Sequence, residues 1–309
     1  MTIIQPDPLL NHRSETLLAV SKTGSLTAAA KLLFVTQPAV SQQLNAWEKE
    51  LGFKLLDHQG KKVALTPGAK RLVDYLTFLR NENQKMLAEL KIQTAPLRLG
   101  STLSIGSFLL PQVLAKMIEQ DWPVTTQIGN TQTLLSQIQR GELDAALVEG
   151  DFDHRHFVWE TIGQEKFALF GSRQLKATVN LENLFDYPLL VREPGSGTRQ
   201  ILEKWLQGHG SSLTDFKQVI EIGSPNAIIE LLKDGVGISF MYQALVEDEL
   251  AAGQLFEWRL NGLAIEHALY LVTAQNSFFK NQRHQLARIC RQLDGLNLDD
   301  GQKSAGDFD

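Results

Sequence analysis

A chain of 309 residues, 43% hydrophobic and 21% charged, is long enough for two or three domains and too evenly composed for a disordered or fibrous protein. The opening run Met1–Pro8 has no basic-then-apolar signal pattern and no stretch reaches transmembrane length, which predicts a cytoplasmic protein without a membrane partner. The net charge of −5 is split unevenly. Residues 1–95 hold 12 Lys and Arg against 8 Asp and Glu, and residues 96–309 hold 18 against 27, so an anionic partner is expected for the front alone.

The front reads as helices. Residues 9–21 form the first, with Leu17 and Val20 as core positions and Lys22-Thr23-Gly24 as its stop. Ser25 caps a second helix, Leu26 to Leu33, whose Ala28, Ala29 and Ala30 let another helix approach closely. A short turn, Phe34-Val35, leads into a third, with Thr36 as cap, Pro38 in the first turn and Gly52 after Leu51 as the stop. Val40, Leu44, Trp47 and Leu51 make one apolar stripe. The opposite face carries Gln37, Ser41, Gln42, Asn45 and Lys49, groups able to meet base edges and phosphates. Taken by itself, this is an ordinary amphipathic surface helix. Two strand-like runs follow, 53–56 and 63–66, with Lys61 and Lys62 at the tip of the turn between them. Two short helices, a tight turn, a polar-faced helix and a wing spell a winged helix-turn-helix over residues 1–68.

The run Gly24-Ser25-Leu26-Thr27-Ala28-Ala29-Ala30, then Leu33, Thr36-Gln37-Pro38-Ala39-Val40-Ser41, Glu48, Leu51-Gly52 and Leu65-Thr66-Pro67-Gly68 resembles the LysR-type transcriptional regulators. The resemblance extends over most of the chain. It implies that the third helix enters the major groove of double-stranded DNA, with Thr27, Gln37, Pro38, Ala39, Ser41 and Gln42 facing it and Thr66 near the backbone. Ser25, Asn45, Lys61 and Lys62 complete the expected surface. Leu56 and His58 stand where the family usually has Phe and Arg, and Gln42 where it often has Arg. Two cationic phosphate contacts are thereby missing, which leaves affinity leaning on Lys61, Lys62 and a second copy.

Residues 69–93 contain neither proline nor glycine. Leu72, Leu76, Leu79, Asn83, Met86 and Leu90 keep a heptad seam, which predicts a linker helix that pairs two chains, with Asn83 setting the register. The family resemblance adds that two such dimers assemble into a tetramer.

Beyond the linker Thr94-Ala95-Pro96, strand-like runs (97–101, 124–128, 145–148, 166–170, 189–191, 218–222, 237–241 and 268–273) alternate with helices beginning near Ile105, Thr131, Thr198, Pro225 and Tyr242. This alternation predicts an α/β domain over residues 94–293. It matches the two-lobed type II periplasmic-binding-protein arrangement of the family's effector domain, with lobes 97–166 plus 270–293 and 167–269. Cys290, spaced with Leu286, Ile289 and Leu293, falls on the buried face of the last helix. Residues 294–309, with five Asp and one Lys, read as a disordered acidic tail.

Four strand-to-helix turns are rich in glycine and hydroxyl groups: around Ser101 and Thr102; Asn130 and Thr131; Gly195, Ser196, Gly197 and Thr198; and Ser224. Each alone is a plain helix cap. Together they predict a cleft for a small effector, and free N–H groups at helix starts favour an anion. No Lys-Ser/Thr pair follows the third turn, which excludes a Walker loop. The run Arg192–Arg199 resembles family members that govern sulfur assimilation or carbon fixation, implying a sulfur oxyanion or a phosphorylated or carboxylated metabolite. Arg192 or Arg199 can supply counter-charge there, or pair with Glu193. The run Asp151–His156 has metal-ligand residue types without a partner cluster and reads as a solvated loop. No catalytic constellation and no cofactor motif is present in the sequence. A ligand-responsive DNA-binding regulator leads, ahead of a solute-binding protein and of an α/β enzyme with a helical interaction domain.

Overall fold

The structure is a computed structural model and describes residues 9, 11–59, 62–90, 96–173, 179–260, 265–275 and 280–293. The chain divides into two units, Met1–Leu87 with Gln139–Gly141, and Ala88–Ile138 with Glu142–Asp309.

In the first unit three caps set three helices. Asn11, Ser25 and Thr36 each accept a backbone N–H from the first turn of α1 (His12–Thr23), α2 (Leu26–Leu32) and α3 (Gln37–Leu51). Gly24 and Gly52 end α1 and α3 at φ of 64° and 76°, where a side chain would be strained. The stripe of α3 closes on α1 and α2 through Leu17, Val20, Ala29, Val40, Leu44 and Trp47. The strands β1 (Leu56–Gln59) and β2 (Lys62–Leu65) pair antiparallel, Leu56 opposite Leu65. The first strand therefore begins three residues later than expected at Phe53. The buried carboxylate of Glu48 explains the delay. It accepts the N–H groups of Leu55 (2.8 Å) and Leu56 (3.2 Å) and holds the intervening turn to the end of α3. Pro67–Leu90 form α4. Lys61 and the acidic tail lie outside the described residues.

The second unit is built on a mixed sheet. Its strands are β3 (Leu97–Thr102), β4 (Val124–Gly129), β5 (Ala145–Val148) and β6 (Phe157–Gly171), then β9 (Ser239–Tyr242), β10 (Phe256–Glu257) and β11 (Ile265–Ala274); β7 (Leu189–Val191) and β8 (Val219–Glu221) form a parallel pair apart. The order is β10-β6-β11-β5-β3-β4, with β9 also on β6. Strands β3, β4 and β5 are parallel, and β11 runs antiparallel to β5 and β6. The helices are α5 (Leu103–Phe108), α6 (Leu110–Glu119), α7 (Thr131–Gln139), α8 (Leu181–Leu184), α9 (Gly197–Gly208), α10 (Pro225–Lys233), α11 (Glu247–Ala251) and α12 (Lys280–Arg291). Strands β6 and β11 pair along their length, and their register shifts between Leu269 and Tyr270. On one side of that shift β11 pairs with β5, and on the other β6 pairs with β9 and β10, so the unit has two lobes.

Three elements differ from expectation. The strand foreseen at 166–170 is the end of the 15-residue β6. Its first half was masked by Glu160, a charge at a core position that is 3% exposed and held by Arg283 (2.9 Å) and Arg291 (2.8 Å) of α12. The helix near Ile105 is two helices, with Pro111 in the first turn of α6. The helix at Tyr242 is a 3-10 turn, Gln243–Leu245, and the short α11. Cys290 is fully buried, and burial pushes its thiol up to about 12. Among the described residues no helix is long and apolar enough to cross a membrane.

Candidate DNA-reading face and effector cleft

On α3 the apolar stripe turns inward, which leaves Gln37, Pro38, Ser41, Gln42, Asn45, Ala46 and Lys49 lining one continuous shallow surface. Gln37 and Ser41, one turn apart, hydrogen-bond to each other (Nε2–Oγ 2.9 Å), which orders the amide at the start of the face. Thr27 is exposed, and Ala39 is half-buried at its edge. Ser25 is used as the cap of α2, accepting from Ala28 N at 3.3 Å. The Thr66 hydroxyl donates to the Lys54 carbonyl (2.7 Å) and accepts from Ala69 N (3.1 Å), so it fixes the start of α4. Of Lys62 only the backbone, in β2, is described.

In the second unit, polar groups gather where strands end. From one lobe come Thr102 at the end of β3, Thr131 at the start of α7, and Glu149 just after β5. From the other come Arg192 after β7, Ser196 to Thr198 at the start of α9, and Tyr242 at the end of β9. All are buried. The hydroxyl of Thr102 donates to the carboxyl of Glu149, and that of Thr131 to the Glu149 carbonyl (3.0 Å). Gly197 lets the lobes close, since a Cβ there would sit 2.3 Å from the Glu149 carbonyl oxygen. Gly195, at φ of 89°, offers its carbonyl to Gln132 N across the lobes at 3.3 Å. Ser196 makes no side-chain cap to α9; its hydroxyl meets that of Thr198 at 2.9 Å instead. A crevice at the carboxyl ends of strands, flanked by helix starts, is where open α/β folds hold ligands.

Two family descriptions match the chain, "LysR substrate binding domain" over residues 93–294 and "Bacterial regulatory helix-turn-helix protein, lysR family" over residues 12–70. The chain belongs to the LysR family of transcriptional regulators. It is 30% identical over 278 residues to the HTH-type transcriptional activator CmpR of Synechocystis, covering 84% of this chain and 88% of CmpR. In fold it resembles ArgP from Mycobacterium tuberculosis (TM-score 0.71, 18% identity, 94% of this chain and 99% of that one). It also resembles the regulatory domain of Synechocystis CcmR in complex with 2-PG (TM-score 0.56, 20% identity, 64% and 98%). It is thus a regulator that binds DNA and a small effector, and not an enzyme.

Within this LysR frame the expected residues sort unevenly. Thr102, Thr131, Ser196, Gly197 and Thr198 come together. Asn130 caps α7 (Thr133 N to Oδ1, 2.9 Å) and faces Gly195. Ser101 is buried beside Thr102, its hydroxyl on the Thr102 carbonyl at 3.2 Å. Ser224 is an exposed cap of α10, accepting from Ala227 N at 3.4 Å, and among the described residues it shares no hydrogen bond with the cleft. Neither arginine offers an open guanidinium. Arg192 is bidentate on Glu193 (2.8 and 3.0 Å), and Arg199 binds Glu203, Glu221 and the Arg192 carbonyl.

Two cleft residues went unforeseen, Glu149 and Tyr242. Burial raises the Glu149 carboxyl to about 7, Thr102 and Arg192 pulling it down and Glu193 pushing it up. Tyr242 is fully buried with its hydroxyl unpartnered, and it is pushed up first by burial and then by Glu149. An acidic residue directly after four apolar strand positions was the available signal. In the Asp151–His156 loop, Asp151 is taken by Lys204, Asp153 by Arg155, and His154 packs at a tilt against Phe152 and Trp159, so these ligand-type residues are otherwise engaged.

On α4 the expected seam divides. Leu76 is 5% exposed within its own unit, with Leu72 packed beside it, whereas Met86, Leu87 and Leu90 are 44%, 55% and 68% exposed. Leu79 is half-buried and Asn83 exposed. The helix packs Ala69, Leu72 and Leu76 on its own core and leaves Met86, Leu87 and Leu90 exposed near its end.

Proposed function

We propose that this regulator reads promoter DNA from the cytoplasm through Thr27, Gln37, Pro38, Ala39, Ser41, Gln42 and Asn45, as a homodimer paired through the exposed end of α4 and assembled further into a tetramer. Ser25 and Thr66 position that face, and Lys61 and Lys62 add phosphate contacts from the wing. The effector is a small anion held by Thr102, Thr131, Ser196, Gly197 and Thr198. The observation that carries the anion is the start of α9. It is buried and lacks a side-chain cap, so its first N–H groups and the helix dipole are open to an acceptor in the cleft. The unpartnered hydroxyls of Ser104 and Tyr242 add two further groups with bonds to give. The complex of CcmR with 2-PG supports a small ligand in this kind of domain.

Footprinting of promoter DNA by the purified chain, with and without inorganic phosphate, sulfate and carboxylates, tests both halves. A discrete protected site whose extent changes with an anion is expected. Protection that no anion alters would remove the anion, and no protected site at low salt would remove the DNA-reading face. Sedimentation of a Leu90→Lys variant tests the pairing: loss of the dimer is expected, and an unchanged dimer would place the contact elsewhere.

A further inference from the structure

An anion does not by itself account for Glu149. This residue is 1% exposed, its carboxyl takes a hydrogen bond from Thr102, and among the described residues no arginine or lysine side chain is hydrogen-bonded to it. The groups facing it bring little charge to neutralise it. From β3 the Thr102 hydroxyl donates to its carboxyl, and from α7 the Thr131 hydroxyl donates to its carbonyl. After β7, Arg192 is already bound to Glu193; on α9, Arg199 is turned to Glu203 and Glu221; from β9 comes the Tyr242 hydroxyl. A bare anion entering here meets a second negative charge where water is excluded, which is strongly disfavoured. One proton between the two resolves the conflict.

We infer that Glu149 determines specificity, admitting anions that carry a hydrogen-bond donor beside their charge, such as an oxyanion retaining a proton or a hydroxy acid, and rejecting bare anions of the same shape. This rests on the anion reading of the cleft. The donor's hydrogen lies on the Glu149 carboxylate, the negative oxygens lie toward the start of α9, and the like charges are bridged. A bare anion enters only when Glu149 carries the proton itself. Because burial brings that carboxyl to about 7, entry of bare anions fades as pH rises past neutrality.

Calorimetric titration of the full-length protein with two matched pairs tests the inference: inorganic phosphate against sulfate, and glycolate against acetate. At about pH 8 phosphate keeps a proton and glycolate its hydroxyl, while sulfate and acetate have neither. In at least one pair the donor-bearing member is expected to bind about tenfold tighter or more, the worth of a hydrogen bond to a charged group. The gap should narrow at about pH 6 and close in Glu149→Gln, whose amide donates. Bare anions that bind as well as their partners in both pairs at about pH 8, or a gap that survives in Glu149→Gln, overturn the inference while the anion reading stands. The pH comparison needs no variant, so it decides even if Glu149→Gln fails to fold. If none of the four anions binds either protein, or methylammonium binds in their place, the anion reading falls and this inference with it.

Discussion

Two buried glutamates, Glu48 in one unit and Glu149 in the other, are treated in opposite ways. Glu48 in the DNA-reading unit accepts from Lys54 (2.7 Å), Leu55 and Leu56. Burial alone would raise its carboxyl, but the ammonium of Lys54 and the two N–H groups outweigh it and hold it below the ordinary value. At Glu149 in the effector unit the Thr102 hydroxyl, the charge of Arg192 and a backbone N–H do not outweigh burial, and the carboxyl is raised. A carboxylate whose oxygens are met by cations and backbone is part of the scaffold. One whose partners do not outweigh its burial is a cost the fold tolerates, and such costs collect at binding sites.

The largest effect expected from this contrast is in the scaffold. Glu48→Ala strands the buried N–H of Leu55 and the half-buried one of Leu56 and should cost about 2–4 kcal/mol by denaturant unfolding. Little change would mean that water replaces the carboxylate. Gly197→Ala forces a Cβ against the Glu149 carbonyl and should cost about 1–3 kcal/mol while abolishing the anion response. Gln42→Ala should leave stability unchanged and lose about 1–3 kcal/mol of discrimination between operator and random DNA; an equal loss on both would make Gln42 a backbone contact.

Melting against pH sharpens the comparison further. The contribution of Glu48 is present above its ordinary carboxylate value and lost as pH falls through its lowered one. That of Glu149 is present below 4.5 and lost as pH rises to about 7. Glu149→Gln should therefore match the parent in acid and exceed it at neutral pH, and Glu48→Gln should show the reverse trend. The smallest effect is Ser196→Ala, which should weaken anion binding several-fold and spare DNA binding; an unaltered response would take Ser196 out of the site.

The contrast also explains what could be read in advance. The caps at Ser25 and Thr36, the stop at Gly52 and the polar face of α3 were legible because each depends on neighbours within one helical turn. The cleft was only half legible. Its hydroxyl turns announce themselves locally, but Glu149 and Tyr242 gain meaning only when strands far apart in the chain end at one place. The same limit hid the first half of β6, where Glu160 breaks the apolar alternation and its partners, Arg283 and Arg291, lie more than a hundred residues on. The heptad spacing of α4 does not say which partner a stripe meets. Leu72 and Leu76 meet their own unit.

The separation of the two sites is tested most directly by footprinting the full-length protein on its promoter with phosphate and with sulfate at about pH 8, comparing the parent with Gln42→Ala and Glu149→Gln. The expected result is that Gln42→Ala weakens protection under every condition and leaves the difference between the two anions intact. Glu149→Gln should protect DNA as the parent does and lose that difference. A Glu149→Gln protein that fails to protect DNA, or one that still distinguishes phosphate from sulfate, would contradict the account.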